Sequence, residues 1–125
     1  MKEHQFRKLL IWQKSMVFIT KIYATTGNFP RTEQFGLIDQ IRRAASSIAL
    51  NIAEGSGSSS NQEFTRFLFI ARRSAYEVIS GLEIAINLHY GNERELVVLI
   101  KSAEEICSMI VGLSKTLKDD KTGRQ

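Results

Sequence analysis

Apolar residues along this chain recur at intervals of three and four, the spacing that lines one face of an α-helix. Leu9, Trp12, Met16, Ile19 and Tyr23 form the first stripe and predict a helix over about 9–26 with these side chains inward. Gly27-Asn28 is expected to close it in a left-handed cap, and Phe29-Pro30 prevents continuation because proline lacks an N–H. A second helix is expected to open at Thr32-Glu33 and run over about 33–54, with Ile38, Ile41, Ala45, Ile48 and Ile52 inside and Gly55 as its stop. Ala44, Ala49 and Ala53 beside that stripe let a neighbouring helix come close. Ser60 with Glu63, and Asn92 with Glu95, have the spacing of capping boxes that start helices. They predict helices over about 61–88 (Phe64, Leu68, Ala71, Ala75, Val78, Leu82 and Ala85 inward) and 93–117 (Leu96, Ile100, Ala103, Ile106 or Cys107, Ile110, Leu113 and Leu117). His89-Tyr90-Gly91 ends the third. Residues 1–8 remain as a basic leader and 118–125 as a flexible tail.

Short connections between helices of this length fold each one back on the last. The expected fold is therefore all-α, an antiparallel up-down-up-down four-helix bundle in one domain. Two positions on the third helix do not fit a single inward stripe. Phe69 and Tyr76 fall ~140° and ~120° from Phe64 on an ideal helical wheel. On the first helix, Ile11, Phe18 and Ile22 make a second stripe ~110° from Trp12 and Met16. One bundle would leave this surplus in water, so Ile11, Phe18, Ile22, Phe69 and Tyr76 are the expected interface between copies. The second helix carries a polar stripe of Glu33, Gln40, Ser47, Asn51 and Glu54 with Arg43 beside it. It is expected to act as a hydrogen-bonded seam, with Arg42 or Arg43 reaching a carboxylate such as Glu77.

Composition adds little to the fold but narrows the chemistry. The chain has 125 residues and a formal charge of +4. Residues 1–30 hold Lys2, Arg7, Lys8, Lys14 and Lys21 against Glu3 alone, so the whole excess sits there. These five are the expected contacts for RNA or another nucleic acid. Cys107 is the single cysteine, which excludes an intramolecular disulfide. Neither His4 nor His89 has a partner at metal-ligand spacing, and no Glu-x-x-His pair marks a di-iron bundle. Gly55-Ser56-Gly57 lacks the Gly-Lys-Ser/Thr ending of a phosphate loop. No nucleophile, base and orienting group can be assembled, so neither enzyme activity nor a cofactor is expected. No apolar run is long enough to span a bilayer, and a cytoplasmic protein without a membrane partner is the expectation.

Several motifs occur in fixed order: Gly36-Leu37, Gln40-Ile41-Arg42-Arg43-Ala44, Ser47-Ile48, Asn51-Ile52-Ala53-Glu54-Gly55, Glu63-Phe64, Arg66-Phe67-Leu68, Ala71-Arg72, and Ser74 to Glu77. With Trp12, Tyr23, Phe29-Pro30 and Glu33 upstream, residues 6–115 resemble the four-helix-bundle family of 23S rRNA intervening-sequence proteins. The resemblance implies a homopentameric ring and suggests contact with RNA. A more distant likeness is to the pentameric accessory protein of diversity-generating retroelements, which binds nucleic acid and a reverse transcriptase. The chain departs from the family pattern at Ser58, where a basic residue is frequent, at Arg73, where glycine is common, and at Lys8, where an acid is common. The expected function is a non-enzymatic homo-oligomeric scaffold that binds nucleic acid. The alternative is a scaffold that docks a partner protein on its apolar faces.

Overall fold

The computed structural model describes residues 4–120, in which four helices and no strand occur. They are α1 (Leu10–Thr26), α2 (Leu37–Ser56), α3 (Asn61–Asn87) and α4 (Glu93–Asp119), with short 3-10 turns at Gln5–Lys8 and Arg31–Glu33. Each helix packs on the next in chain order and α4 closes the circuit against α1, while the diagonal pairs stay apart across the core. Contacts run in opposite directions along every neighbouring pair. On α2 and α3, Ile41 faces Gly81, Ser47 meets Ser74, and Gly55 faces Phe64 and Phe67. Tyr23 and Thr26 of α1 meet Ser46 and Arg42 of α2, Asn61 of α3 reaches Leu117 of α4, and Lys14 of α1 pairs with Glu105 of α4. The bundle is therefore antiparallel throughout, up-down-up-down.

The inward stripes of α2 and α3 are those expected from spacing, with Ile48, Ile52, Leu68, Val78 and Leu82 fully enclosed. On α4, Leu96, Ala103, Ile106, Cys107 and Ile110 are buried as expected, but Leu99 and Ser114 join them while Ile100, Leu113 and Leu117 are only half-buried. Helix α1 is turned the other way. Ile11, Phe18 and Ile22 belong to the core, together with Ser15 and Thr26, and Met16 and Tyr23 face out. The expectation that Ile11, Phe18 and Ile22 serve the interface between copies is thus corrected. Burial of this stripe is possible because its two hydroxyls are satisfied within the helix: Ser15 Oγ donates to the Ile11 carbonyl at 2.8 Å and Thr26 Oγ1 to the Ile22 carbonyl at 2.7 Å. A buried hydroxyl with a partner costs little. Counting apolar residues alone overlooked this.

Helix ends differ in detail. Gly27 is right-handed (φ −62°), so α1 does not close in a left-handed cap. Helix α2 starts at Leu37, later than Thr32-Glu33, because Arg31–Glu33 forms its own 3-10 turn. Gly55 lies inside α2 and does not stop it; a Cβ there would lie 2.7 Å from Phe67 Cβ and 2.9 Å from Phe64 Cδ1. At the other end of the same seam, a Cβ on Gly81 would lie 2.6 Å from Ile41 Cγ1. Glycine at both ends, with the buried Ala44, Ala45, Ala71 and Ala75 between, makes α2/α3 the tightest pair in the bundle. Ser60 Oγ and Asn92 Oδ1 accept from Glu63 N and Glu95 N at 3.1 and 3.0 Å, starting α3 and α4 as expected. Lys118 and Asp119 are helical rather than part of a tail, and residues 121–125 lie outside the described residues.

Glu33 ties together the α1–α2 and α3–α4 loops, which lie at one end of the bundle. Its Oε1 accepts the Leu37 N–H at 3.1 Å, and its Oε2 accepts the Tyr90 hydroxyl at 2.9 Å. The Tyr90 ring also leans on buried Phe29, 5.8 Å between centroids. The hydrogen bond to Glu33, aided by desolvation and the carboxylate charge, raises the Tyr90 phenol above its ordinary value. A raised folded-state value means the bond contributes fully below the ordinary tyrosine pKa of about 10 and is lost as pH rises through the raised one. Absorbance titration of the folded protein should show a tyrosine step above the ordinary range. Tyr90→Phe should remove that step.

Candidate functional site

Three outward features remain once the core is accounted for. The first is a stripe on the α1/α2 side. Met16 and Tyr23, one heptad apart, are exposed, and Trp12 and Ile19 beside them are half-buried. The Phe6 ring packs edge-on against Trp12 at 5.0 Å, so the leader folds over one end of this stripe. Arg42 organises the other end. Its Nε donates to Thr26 Oγ1 at 2.9 Å, its Nη2 donates to the Tyr23 carbonyl at 3.0 Å, and its guanidinium sits 4.7 Å from the Tyr23 ring centre.

The second feature lies on the opposite side, where α3 meets α4. Phe69 and Tyr76 are 42% and 52% exposed, as their wheel positions require. Arg72 stands between them, 5.2 and 5.8 Å from the two ring centres. Its Nε is buried and has no hydrogen-bond partner among the described residues. The Arg72 charge is felt by buried Cys107 of α4: burial pushes that thiol up, Arg72 draws it back, and Glu104 adds to the rise. Spacing already held this cluster, since Arg72 is three residues after Phe69 and four before Tyr76. Arg42 over Tyr23, by contrast, joins two helices and was not readable.

The third feature is the groove between α1 and α4. A cavity of about 310 Å³ is lined by Lys14, Val17, Phe18, Lys21, Ser102, Glu105 and Ile106 among others. A second, of about 410 Å³, lies towards Lys21, Thr25, Arg94, Val98 and Leu99. Of the cations expected to meet nucleic acid, Lys2 lies outside the described residues. Lys14 is paired with Glu105 across the groove. Among the described residues no ion pair engages Arg7, Lys8 or Lys21, all of them exposed. Arg94, at the start of α4, was not anticipated.

The polar stripe of α2 divides. Asn51 Nδ2 donates to the Ser47 carbonyl at 2.8 Å and to Ser47 Oγ at 2.9 Å, and Ser74 Oγ donates to the same hydroxyl at 2.9 Å. These three form a register-setting seam between α2 and α3. Glu33 belongs to the loop knot. Gln40, Arg43, Glu54 and Glu77 are exposed, and Arg43 bonds Asp39 at 2.9 Å instead of Glu77. Among the described residues no group of three His, Cys, Asp or Glu side chains is placed to hold a metal ion. No described helix is long and apolar enough to cross a membrane.

Fold and surface together define a small all-α bundle protein with two aromatic faces on opposite sides and a cation-rimmed groove between them. The chain belongs to the 23S rRNA-intervening sequence protein family, whose model matches residues 7–112. Among solved structures it is similar to a protein of unknown function from the S23 ribosomal protein family of Bacteroides thetaiotaomicron. That likeness has 27% identity and a TM-score of 0.76, covering 85% of this chain and 99% of the other. No curated protein matches.

Proposed function

We propose that the protein is a non-enzymatic homo-oligomeric scaffold, a ring of five copies, that holds RNA along a basic edge. The observation that carries this reading is the presence of two unlike aromatic faces on opposite sides of the bundle. Trp12, Met16 and Tyr23 lie on one, and Phe69, Arg72 and Tyr76 on the other. Unlike faces pair head to tail, which closes into a ring when the rotation permits. The family resemblance favours five copies. Helix α1 has no acidic residue, and the exposed Arg7 and Lys8 stand on the turn just before it, so each copy adds unopposed cations at that end of the subunit. Repetition of +4 per chain turns a mild charge into a strong attraction for phosphates.

Retention of single-stranded RNA should fall steeply with salt and depend little on base sequence. Arg7→Glu with Lys8→Glu should weaken it at least tenfold near 0.1 M salt, as expected for two lost phosphate contacts per copy. Fluorescence anisotropy with a labelled oligonucleotide measures both effects. No retention of RNA or DNA at low salt would remove nucleic acid from the reading.

A further inference from the structure

We infer that the α1/α4 groove is a docking site for a short, acidic amphipathic helix of a partner protein. This goes beyond the RNA reading and does not need it. Of the four neighbouring pairs α1 and α4 touch least, and they leave cavities of about 310 and 410 Å³ along their line of contact, whereas α2 and α3 meet closely through glycines. Lys21 lines both cavities, which places them end to end along one α1/α4 trough. Its floor is apolar, made by Phe18, Leu99 and Ile106, and Val17 and Val98 on its walls are more than half exposed.

An apolar floor suits the apolar stripe of a helix and repels a phosphodiester chain, which would lose hydration there without gaining a partner. The trough extends from Gln13 to Thr25, thirteen residues of α1, or ~18 Å at the rise of an α-helix. That accommodates about three turns of a docked helix. The rim selects charge. Lys14 and Lys21 stand one heptad apart on the acid-free wall, and Arg94 stands on the other. Glu105 is held by Lys14, which leaves Lys21 and Arg94 facing Glu95 alone. Carboxylates on one flank of the incoming helix would meet Lys21 and Arg94 and could displace Glu105 from Lys14.

The test uses a synthetic fluorescent helix of about 14 residues, with leucines at helical spacing and glutamates one heptad apart. It is titrated with the intact protein beside a copy whose glutamates are lysines. Saturable binding of the acidic peptide is expected, at least tenfold tighter than the lysine peptide. Val98→Asp should weaken it at least tenfold and leave RNA retention unchanged, while Arg7→Glu with Lys8→Glu should do the reverse. Circular dichroism checks folding, and Val98→Ser serves if Val98→Asp does not fold. Failure of the acidic peptide to bind, equal binding of the two peptides, or indifference to both Val98 variants would overturn the inference. So would loss of RNA retention in the Val98 variants, which would make the trough a nucleic-acid site.

Discussion

Phe69→Asp combined with Tyr76→Asp is expected to reduce the proposed assembly to free subunits of 14.2 kDa without loss of helix content. Both side chains are substantially exposed within one subunit, so their replacement opens no cavity in its core. Either aspartate can pair with Arg72, which already stands between the two rings. Across an interface the same change is severe. Aromatic anchors contribute about 2 kcal/mol or more each, so losing two weakens association by ~10³-fold. Met16→Asp with Tyr23→Asp should have the same result from the opposite face. The two doubly substituted proteins each keep one good face, so mixing them should yield a one-to-one pair. Light scattering of each variant and of the mixture reads all three outcomes. A wild-type protein that is itself a monomer at micromolar concentration would end this reading.

Gly55→Val is expected to lower stability by about 3 kcal/mol, because overpacking a close helix contact costs about that much. The first added carbon already falls 2.7 Å from Phe67 Cβ, an atom fixed by the α3 backbone that cannot swing aside. The helices must separate, and the alanine and glycine seam down to Gly81 loosens with them. Valine gains some helix propensity over glycine, only a few tenths of a kcal/mol, too little to offset the clash. Thermal unfolding at fixed protein concentration should show a melting temperature lower by roughly 10–15 °C. An unchanged melting temperature would mean that α2 and α3 are not in this contact.

Spacing alone located three of the four inward stripes and the caps at Ser60 and Asn92, since each depends on residues within a few positions of one another. It chose the wrong stripe on α1. Both candidates there are rich in apolar residues, and the decision rests on Ser15 and Thr26 returning their hydroxyls to their own helix, which no hydrophobicity count registers. Gly55 resembled a terminator because glycine disfavours helices; its reason for being there is the ring of Phe64 and the Cβ of Phe67 on another helix. The outward cluster of Phe69 and Tyr76 was legible for the opposite reason. Its members lie on one helix, and helical geometry fixes their direction. Lys14 could be counted as a cation, but its pairing with Glu105, ninety-one residues away, depends on how α4 returns beside α1.

The slack of α1 has a thermodynamic consequence. Its first turn has neither a side-chain cap nor an acidic residue, and Leu9 precedes it. One of its two flanking seams is the open trough. Whatever settles in that trough clasps the least secured segment of the subunit against α4. Occupancy and resistance to unfolding are then linked, because a guest that binds only the native form shifts the folding equilibrium with its own concentration.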